Sequence, residues 1–217
     1  IPTGLAIVAA GSWSAEVARL ASLDIPVVPR QGMMIVTEQA PFRTRHVVKP
    51  LKHDLDPWAF SQPRPPGAPG RPAGSDDPNL PPGKGMAISQ VGAGNFLLGS
   101  TSRFAGFDLA PTRGGIAYIL EHAVRVVPAL RRLRVIRTWA GLRPNTPDGL
   151  PLVGPVETVP GLFLATGHDG GGIGLAPITG QIAADLITTG RSAFPAERLA
   201  PGRFARVFFR PCRPTVV

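Results

Sequence analysis

Arg143, Asp148, His168 and the glycines Gly170, Gly171, Gly172 and Gly174 are the residues of this 217-residue chain whose types and spacing could do chemistry. All lie between Gly141 and Gly180. An arginine can hold a carboxylate or phosphate through two parallel hydrogen bonds. A glycine cluster opening onto a helix offers backbone amides and the positive end of a helix dipole to a second anion. With no ligand, the same residues make a tight turn, a surface ion pair and a histidine of the turn. Asp148 precedes Gly149, and that pairing reads as a turn rather than a general base.

The elements that must position these residues follow from the pattern around them. Leu162 to Thr166 is a short continuous apolar run between glycines, as expected of a buried strand. Ile178, Ile182 and Leu186 then recur every four residues, with Ala183 and Ile187 on the same face. That spacing predicts an amphipathic helix with Pro177 near its first turn and Gly190 ending it. Between strand and helix, the four glycines are expected to supply positive φ and close backbone approach.

Two further segments carry the resemblance beyond local pattern. One comprises Gly141-Leu142-Arg143-Pro144, Thr146-Pro147-Asp148-Gly149-Leu150-Pro151 and Gly154. The other comprises Gly167-His168, Gly170, Gly172-Ile173, Leu175-Ala176-Pro177 and Thr179-Gly180. Together these resemble the C-terminal signature of the D-amino-acid oxidase-like FAD-dependent oxidoreductases, which include glycine oxidase, D-amino-acid dehydrogenases and the sarcosine oxidase beta subunit. Near the start, Ala9-Ala10-Gly11-Ser12-Trp13-Ser14 is similar to the family's strand that returns to the FAD-binding sheet. The resemblance implies a mixed α/β architecture, a Rossmann-like FAD domain of the glutathione-reductase type carrying an inserted antiparallel substrate domain. It implies Arg143 as the anchor of a substrate carboxylate. Gly11, Trp13, Gly141, His168, Gly170, Gly171, Gly172, Ile173 and Gly174 become the flavin-contacting positions. The small-molecule substrate implied is a (D-)amino acid or secondary amine, oxidised at its C–N bond by hydride transfer to FAD. No side chain is implied as a strong base.

The family opens with a strand, a Gly-x-Gly-x-x-Gly turn and a helix that bind the ADP part of the cofactor. No such stretch occurs among these residues, and Gly170 to Gly174 lacks the surrounding βαβ unit and downstream acid. The chain therefore reads as the C-terminal half to three-fifths of a family member: a fragment, a truncated product or one part of a split enzyme. A partner subunit would then supply the ADP-binding half. The alternative reading is a non-catalytic subunit completing a flavin site on a partner chain.

Along the chain, residues 1–25 read as the returning strand and helix of the FAD domain. Leu5 to Ala10 is expected to be a buried strand, with Ser12 or Ser14 capping a helix whose apolar face is Val17, Leu20 and Ala21. Residues 26–140 read as the antiparallel domain. It has a strand through Met33 to Thr37 and a hairpin of Met86–Val91 with Phe96–Ser100. A helix follows through Ile116, Ile119, Leu120, Ala123, Val124 and Val127, stopped by Pro128, and then a half-buried strand from Leu133 to Trp139. Residues 62–85 hold eight prolines and five glycines, so they read as a loop unable to bury a core. Residues 141–204 form the flavin-contacting part, and 205–217 a tail.

Composition limits the remaining classes. The formal charge is +9, from 23 Lys and Arg against 14 acids, but only Arg131, Arg132 and Arg134 cluster, and aromatics do not interleave with them. That favours a compositional habit over a nucleic-acid footprint. No apolar run reaches the ~20 residues that cross a bilayer. A single cysteine, Cys212, allows no internal disulfide and fits a reducing, cytoplasmic setting, with the inner-membrane periphery as a variant. His46, His53 and His122 are too scattered for a metal site.

Overall fold

The computed structural model describes residues 3–49 and 86–204. The proline- and glycine-rich segment 62–85, His53, Cys212 and the tail from 205 onward lie outside the described residues. The chain divides into two compact units, residues 1–29 with 143–217 and residues 30–142.

The first unit is built on a three-stranded sheet of β1 (Ala6–Val8), β6 (Leu152–Pro155) and β7 (Leu162–Thr166), in the order β1-β7-β6. β1 runs parallel to β7, with Ile7 opposite Phe163, and β6 runs antiparallel to it. Two helices belong to this unit, α1 (Ser14–Arg19) and a long C-terminal helix described with the site. Both faces of β7 are covered. Leu162 and Leu164 join Val8, Ala15, Ala18 and Leu152 in one core cluster. Phe163 joins Val153, Ile182 and Ala183 in another. Burial on both faces explains why β7 is continuously apolar instead of alternating. Each such large side chain contributes roughly 1.5–3 kcal/mol relative to an exposed one. Gly161 has a φ of +80°, and a Cβ there would stand 2.8 Å from the Gly4 carbonyl oxygen. Only glycine lets β1 and β7 come together at that end.

β1 and α1 differ from the sequence expectation. The strand is three residues long, and Leu5 and Ile7 are exposed while Val8 alone is buried. β1 sits at the sheet edge, so among the described residues its neighbours cover one side only. In α1 the buried face is Ser14, Ala15 and Ala18, and Leu20 is 88% exposed. Neither serine caps the helix: Trp13 occupies the N-cap, and Ser14 turns inward.

The second unit is a four-stranded sheet in the order β3-β4-β2-β5, with β2 (Val28–Gln39), β3 (Ala87–Gln90), β4 (Asn95–Gly99) and β5 (Val135–Asn145). β3 and β4 form the expected hairpin. The helix α2 (Arg113–Val126) lays Ile119 and Ala123 against Met33, Ile35, Phe96 and Leu98. Thr112 caps it, its Oγ1 accepting from the Gly115 amide, and a 3-10 turn beginning at Pro128 follows it. A Cβ on Gly115 would meet the Met33 Sδ, so glycine permits this close helix–sheet approach. β5 does not alternate at its start, where both Val135 and Ile136 are exposed. It also continues past Trp139 through Arg143 to Asn145, so Arg143 stands on the end of a strand rather than in a loop.

Candidate functional site

In the first unit, two strand–turn–helix segments place their turns at the carboxyl ends of adjacent parallel strands, the position where open α/β sheets bind ligands. After β1, Gly11 takes a φ of +54° and opens a 3-10 turn to Trp13, from which α1 starts. After β7, Gly167 takes a φ of +80°, and a 3-10 turn over Asp169–Gly171 leads into α3 (Gly172–Thr189). Side-chain hydroxyls lock the two turns together. Thr166 Oγ1 donates to the Gly11 carbonyl at 3.3 Å and lies 2.6 Å from Ser14 Oγ. With the single Thr166 proton committed to Gly11, Ser14 is the donor to Thr166. Gly11 and Trp13 are thereby tied to the Gly167–His168 turn, 156 residues after Gly11 in the case of Gly167.

The glycine cluster works differently from the sequence expectation. Helix α3 begins at Gly172, so Gly172, Ile173 and Gly174 are its first turn and Pro177 lies within it. The left-handed backbone falls on Gly167 and on Asp169 (φ +47°), not on Gly170 to Gly174. Two of those glycines lie within van der Waals reach of site side chains. A Cβ on Gly170 would stand 3.6 Å from both Cδ and Nε of Arg143, and one on Gly172 would stand 3.5 Å from the His168 Cβ. The half-buried Arg143 side chain therefore lies against the Gly170 backbone, two residues ahead of the α3 N-terminus. Gly171 is the N-cap and carries no capping side chain. Its own amide donates to the His168 carbonyl at 3.0 Å, which leaves the first helical turn, from Gly172 onward, as the place where donors and dipole face outward. Gly190, in the left-handed conformation, ends α3 as expected. Ile182 and Ala183 are buried, whereas Ile187 is exposed.

His168 Nε2 lies 2.9 Å from Thr179 Oγ1, so the imidazole bridges the turn to α3. Burial holds its pKa below the usual histidine value, favouring the neutral ring. Asp148 is a turn residue, as the sequence suggested: its Oδ1 accepts from the Leu150 amide and the Thr146 hydroxyl. It also pairs with Arg203, Nε to Oδ2 at 2.7 Å. Burial by itself would raise the Asp148 carboxyl; the Arg203 hydrogen bond, the Leu150 amide, the Arg203 charge and the Thr146 hydroxyl together outweigh it and hold the pKa below the usual carboxylate value.

Trp13 is half exposed and Ile173 almost fully so. Gly141 is an exposed β5 position counted with the second unit. Sequence reasoning missed Ser14, Thr166, Thr179 and Arg203 as partners of the site. Ser14, Thr166 and Arg203 act through contacts distant in sequence, and Thr179, though inside the Gly167–Gly180 segment, meets His168 only through the fold of the turn. Among the described residues, no cluster of three His, Cys, Asp or Glu could hold a metal, and no helix is long and apolar enough to cross a membrane.

Comparison with known proteins identifies the family. The family model described as FAD dependent oxidoreductase (DAO) matches residues 2–186. The chain is 34% identical over 183 residues to glycine oxidase of Pseudomonas aeruginosa, covering 84% of this chain and 41% of that protein. It is 35% identical over 180 residues to hydrogen cyanide synthase subunit HcnC of the same organism, covering 82% of this chain and 35% of that protein. Glycine oxidase from Geobacillus kaustophilus has a similar structure, with a TM-score of 0.70 at 26% identity, over 92% of this chain and 45% of that one. The chain thus spans less than half the length of these relatives. It belongs to the DAO family of FAD-dependent oxidoreductases.

Proposed function

We propose that this chain forms the flavin- and substrate-contacting portion of an enzyme that oxidises the C–N bond of an amino acid or secondary amine. The observation that carries this reading is Arg143 lying against Gly170 beside the uncapped N-terminus of α3. A guanidinium and a helix dipole converge there, which suits two anionic groups, a substrate carboxylate and an electron-rich cofactor edge. The residues present fit FAD: Gly11, Trp13, His168 and Gly170 to Gly174 would hold it, with the amides of Gly172 and Ile173 as outward donors. Bound there, FAD supplies a two-electron acceptor that takes hydride from the carbon next to nitrogen, leaving a C=N bond that water hydrolyses.

Arg143 fixes the carboxylate bidentately and so orients the reacting C–H, an effect of position rather than of acid–base chemistry. A substrate amine bound neutral needs no strong base, consistent with His168 being engaged with Thr179. The first-turn amides of α3 stabilise negative charge without reorganising. A relative named glycine oxidase supports an amino-acid substrate, and one named as a subunit supports a multi-chain assembly. We assign the ADP end of the cofactor to a βαβ segment outside these 217 residues, on a partner subunit or elsewhere.

The test compares amino acids with their carboxamides in the FAD-loaded protein. Loss of a charge-assisted bidentate contact of about 2–3 kcal/mol should lower kcat/KM for the carboxamide ~30–150-fold. Arg143→Ala should abolish that discrimination. Equal kcat/KM for acid and amide in the unsubstituted protein would refute the role of Arg143.

A further inference from the structure

Arg203 lies beyond the residues matched by the family model, yet its guanidinium is densely hydrogen-bonded to the loop that follows Arg143. Nε donates to Asp148 Oδ2 at 2.7 Å. Nη2 donates to Asp148 Oδ1 at 3.2 Å and to the Leu150 carbonyl at 2.7 Å. Nη1 donates to the carbonyls of Leu199 and Ala200 at 2.8 and 3.2 Å. All five N–H donors are used. The group also lies 4.6 Å from the Phe204 ring centroid. Both side chains of the ion pair are more than four-fifths buried.

The segment it grips is the continuation of Arg143. The single Thr146 hydroxyl proton is shared between the Leu150 carbonyl at 2.8 Å and Asp148 Oδ1 at 3.3 Å, the shorter contact being the main one. Thr146 is 2% exposed, and its methyl occupies the space a Cβ on Gly167 would need, 2.6 Å away. Pro144 and Pro147 fix φ at two of the four residues between Arg143 and Asp148. A segment so stiff transmits a displacement of Asp148 or Thr146 to Arg143. On the other flank, Gly154 packs on Pro201: a Cβ there would stand 2.9 Å from the Pro201 Cδ. The turn carrying Arg203 is therefore itself docked on β6.

We propose that Arg203 is a positioning residue: through Asp148 and Thr146 it sets the register of residues 143–150 against Gly167, and so holds Arg143 over Gly170. This goes beyond the proposed function and uses its assignment of Arg143 only for the carboxylate readout. A lysine at 203 keeps a charge for Asp148 but cannot serve five acceptors in a plane. The site's geometry should therefore degrade even where the ion pair survives.

Backbone amide exchange and the Arg143 Nε–H resonance of the full chain test this, in the unsubstituted protein and in Arg203→Lys, Arg203→Met and Asp148→Asn, with acetate as the carboxylate probe. Exchange at 145–150 and 167–171 is expected to accelerate tenfold or more in Arg203→Met and to a lesser degree in Arg203→Lys. The Arg143 resonance should shift, and acetate affinity should fall tenfold. Asp148→Asn, the milder change should Arg203→Met fail to fold, moves the same amides. Acceleration confined to 199–204, with the Arg143 resonance unmoved, overturns the proposal. An unsubstituted chain that ignores acetate while the variants still displace Arg143 refutes the carboxylate role and upholds the positioning one.

Discussion

Replacing Gly167 by alanine forces two costs that the structure separates. At a φ of +80° an L-residue pays about 1–2 kcal/mol. The new Cβ would also stand 2.6 Å from the Thr146 Cγ2, 3.5 Å from the Leu152 amide nitrogen and 3.7 Å from the Pro151 Cα. Thr146 is buried, so its methyl cannot swing into solvent, and overpacking of this kind costs about 1–3 kcal/mol. The reduced freedom of the unfolded chain returns about 0.4–1 kcal/mol. The net is a destabilisation of about 1–4.5 kcal/mol, or roughly 2–18 °C in Tm for a chain of this size. Denaturant melts of four proteins measure it: unsubstituted, Gly167→Ala, Thr146→Ser and the double variant. Serine keeps the hydroxyl that bonds Leu150 and Asp148 but removes the clashing methyl. Thr146→Ser alone should cost about 1 kcal/mol, whereas in the Gly167→Ala background it should restore 1–2 kcal/mol. Additivity of the two changes, or a Gly167→Ala protein within about 0.5 kcal/mol of the parent, would refute the packing argument.

Two pH dependences follow from the same site. His168 has its pKa lowered by burial, so its folded form binds a proton less readily than the unfolded chain. Stability is whole above the unfolded value of about 6.5 and is lost as pH falls through the folded value. Melts between pH 7.5 and 5 should show that slope in the parent and a weaker one in His168→Gln, and identical slopes would refute it. Asp148 is likewise held low, so its contribution is whole above about pH 4 and lost below it. Asp148→Asn should cost about 2–4 kcal/mol at pH 7, because it leaves a largely buried guanidinium without its counter-charge. The gap from the parent should narrow in acid; a gap independent of pH would contradict the assignment.

The sequence made some of this legible and hid the rest for physical reasons. β7, the β3–β4 hairpin and α2 were readable because each shows itself in a local pattern: a continuous apolar run, a glycine turn and a 3.6-residue repeat. The motif around Arg143 and the glycine cluster identified the family, because some forty residues in order leave few alternatives. The start of α3 was hidden because Gly172 to Gly174 has poor helix propensity, and packing of Thr179, Ile182 and Ala183 overrides it. β1 and α1 were misread because the apolar side chains of Leu5, Ile7 and Leu20 are exposed, and hydrophobicity alone cannot say which face is covered. Arg203 was invisible because its partner Asp148 lies 55 residues away, across a distance no periodicity spans.

The most direct measurement is the visible absorption spectrum of the purified chain titrated with FAD, followed by anaerobic addition of glycine, D-amino acids and opines. The expected result is a shifted, bound-flavin spectrum that bleaches with a carboxylate-bearing amine in the parent and not in Arg143→Ala. Bleaching that proceeds equally without Arg143 would contradict its role, and a flavin spectrum unchanged by the chain would refute FAD binding without the ADP-binding segment.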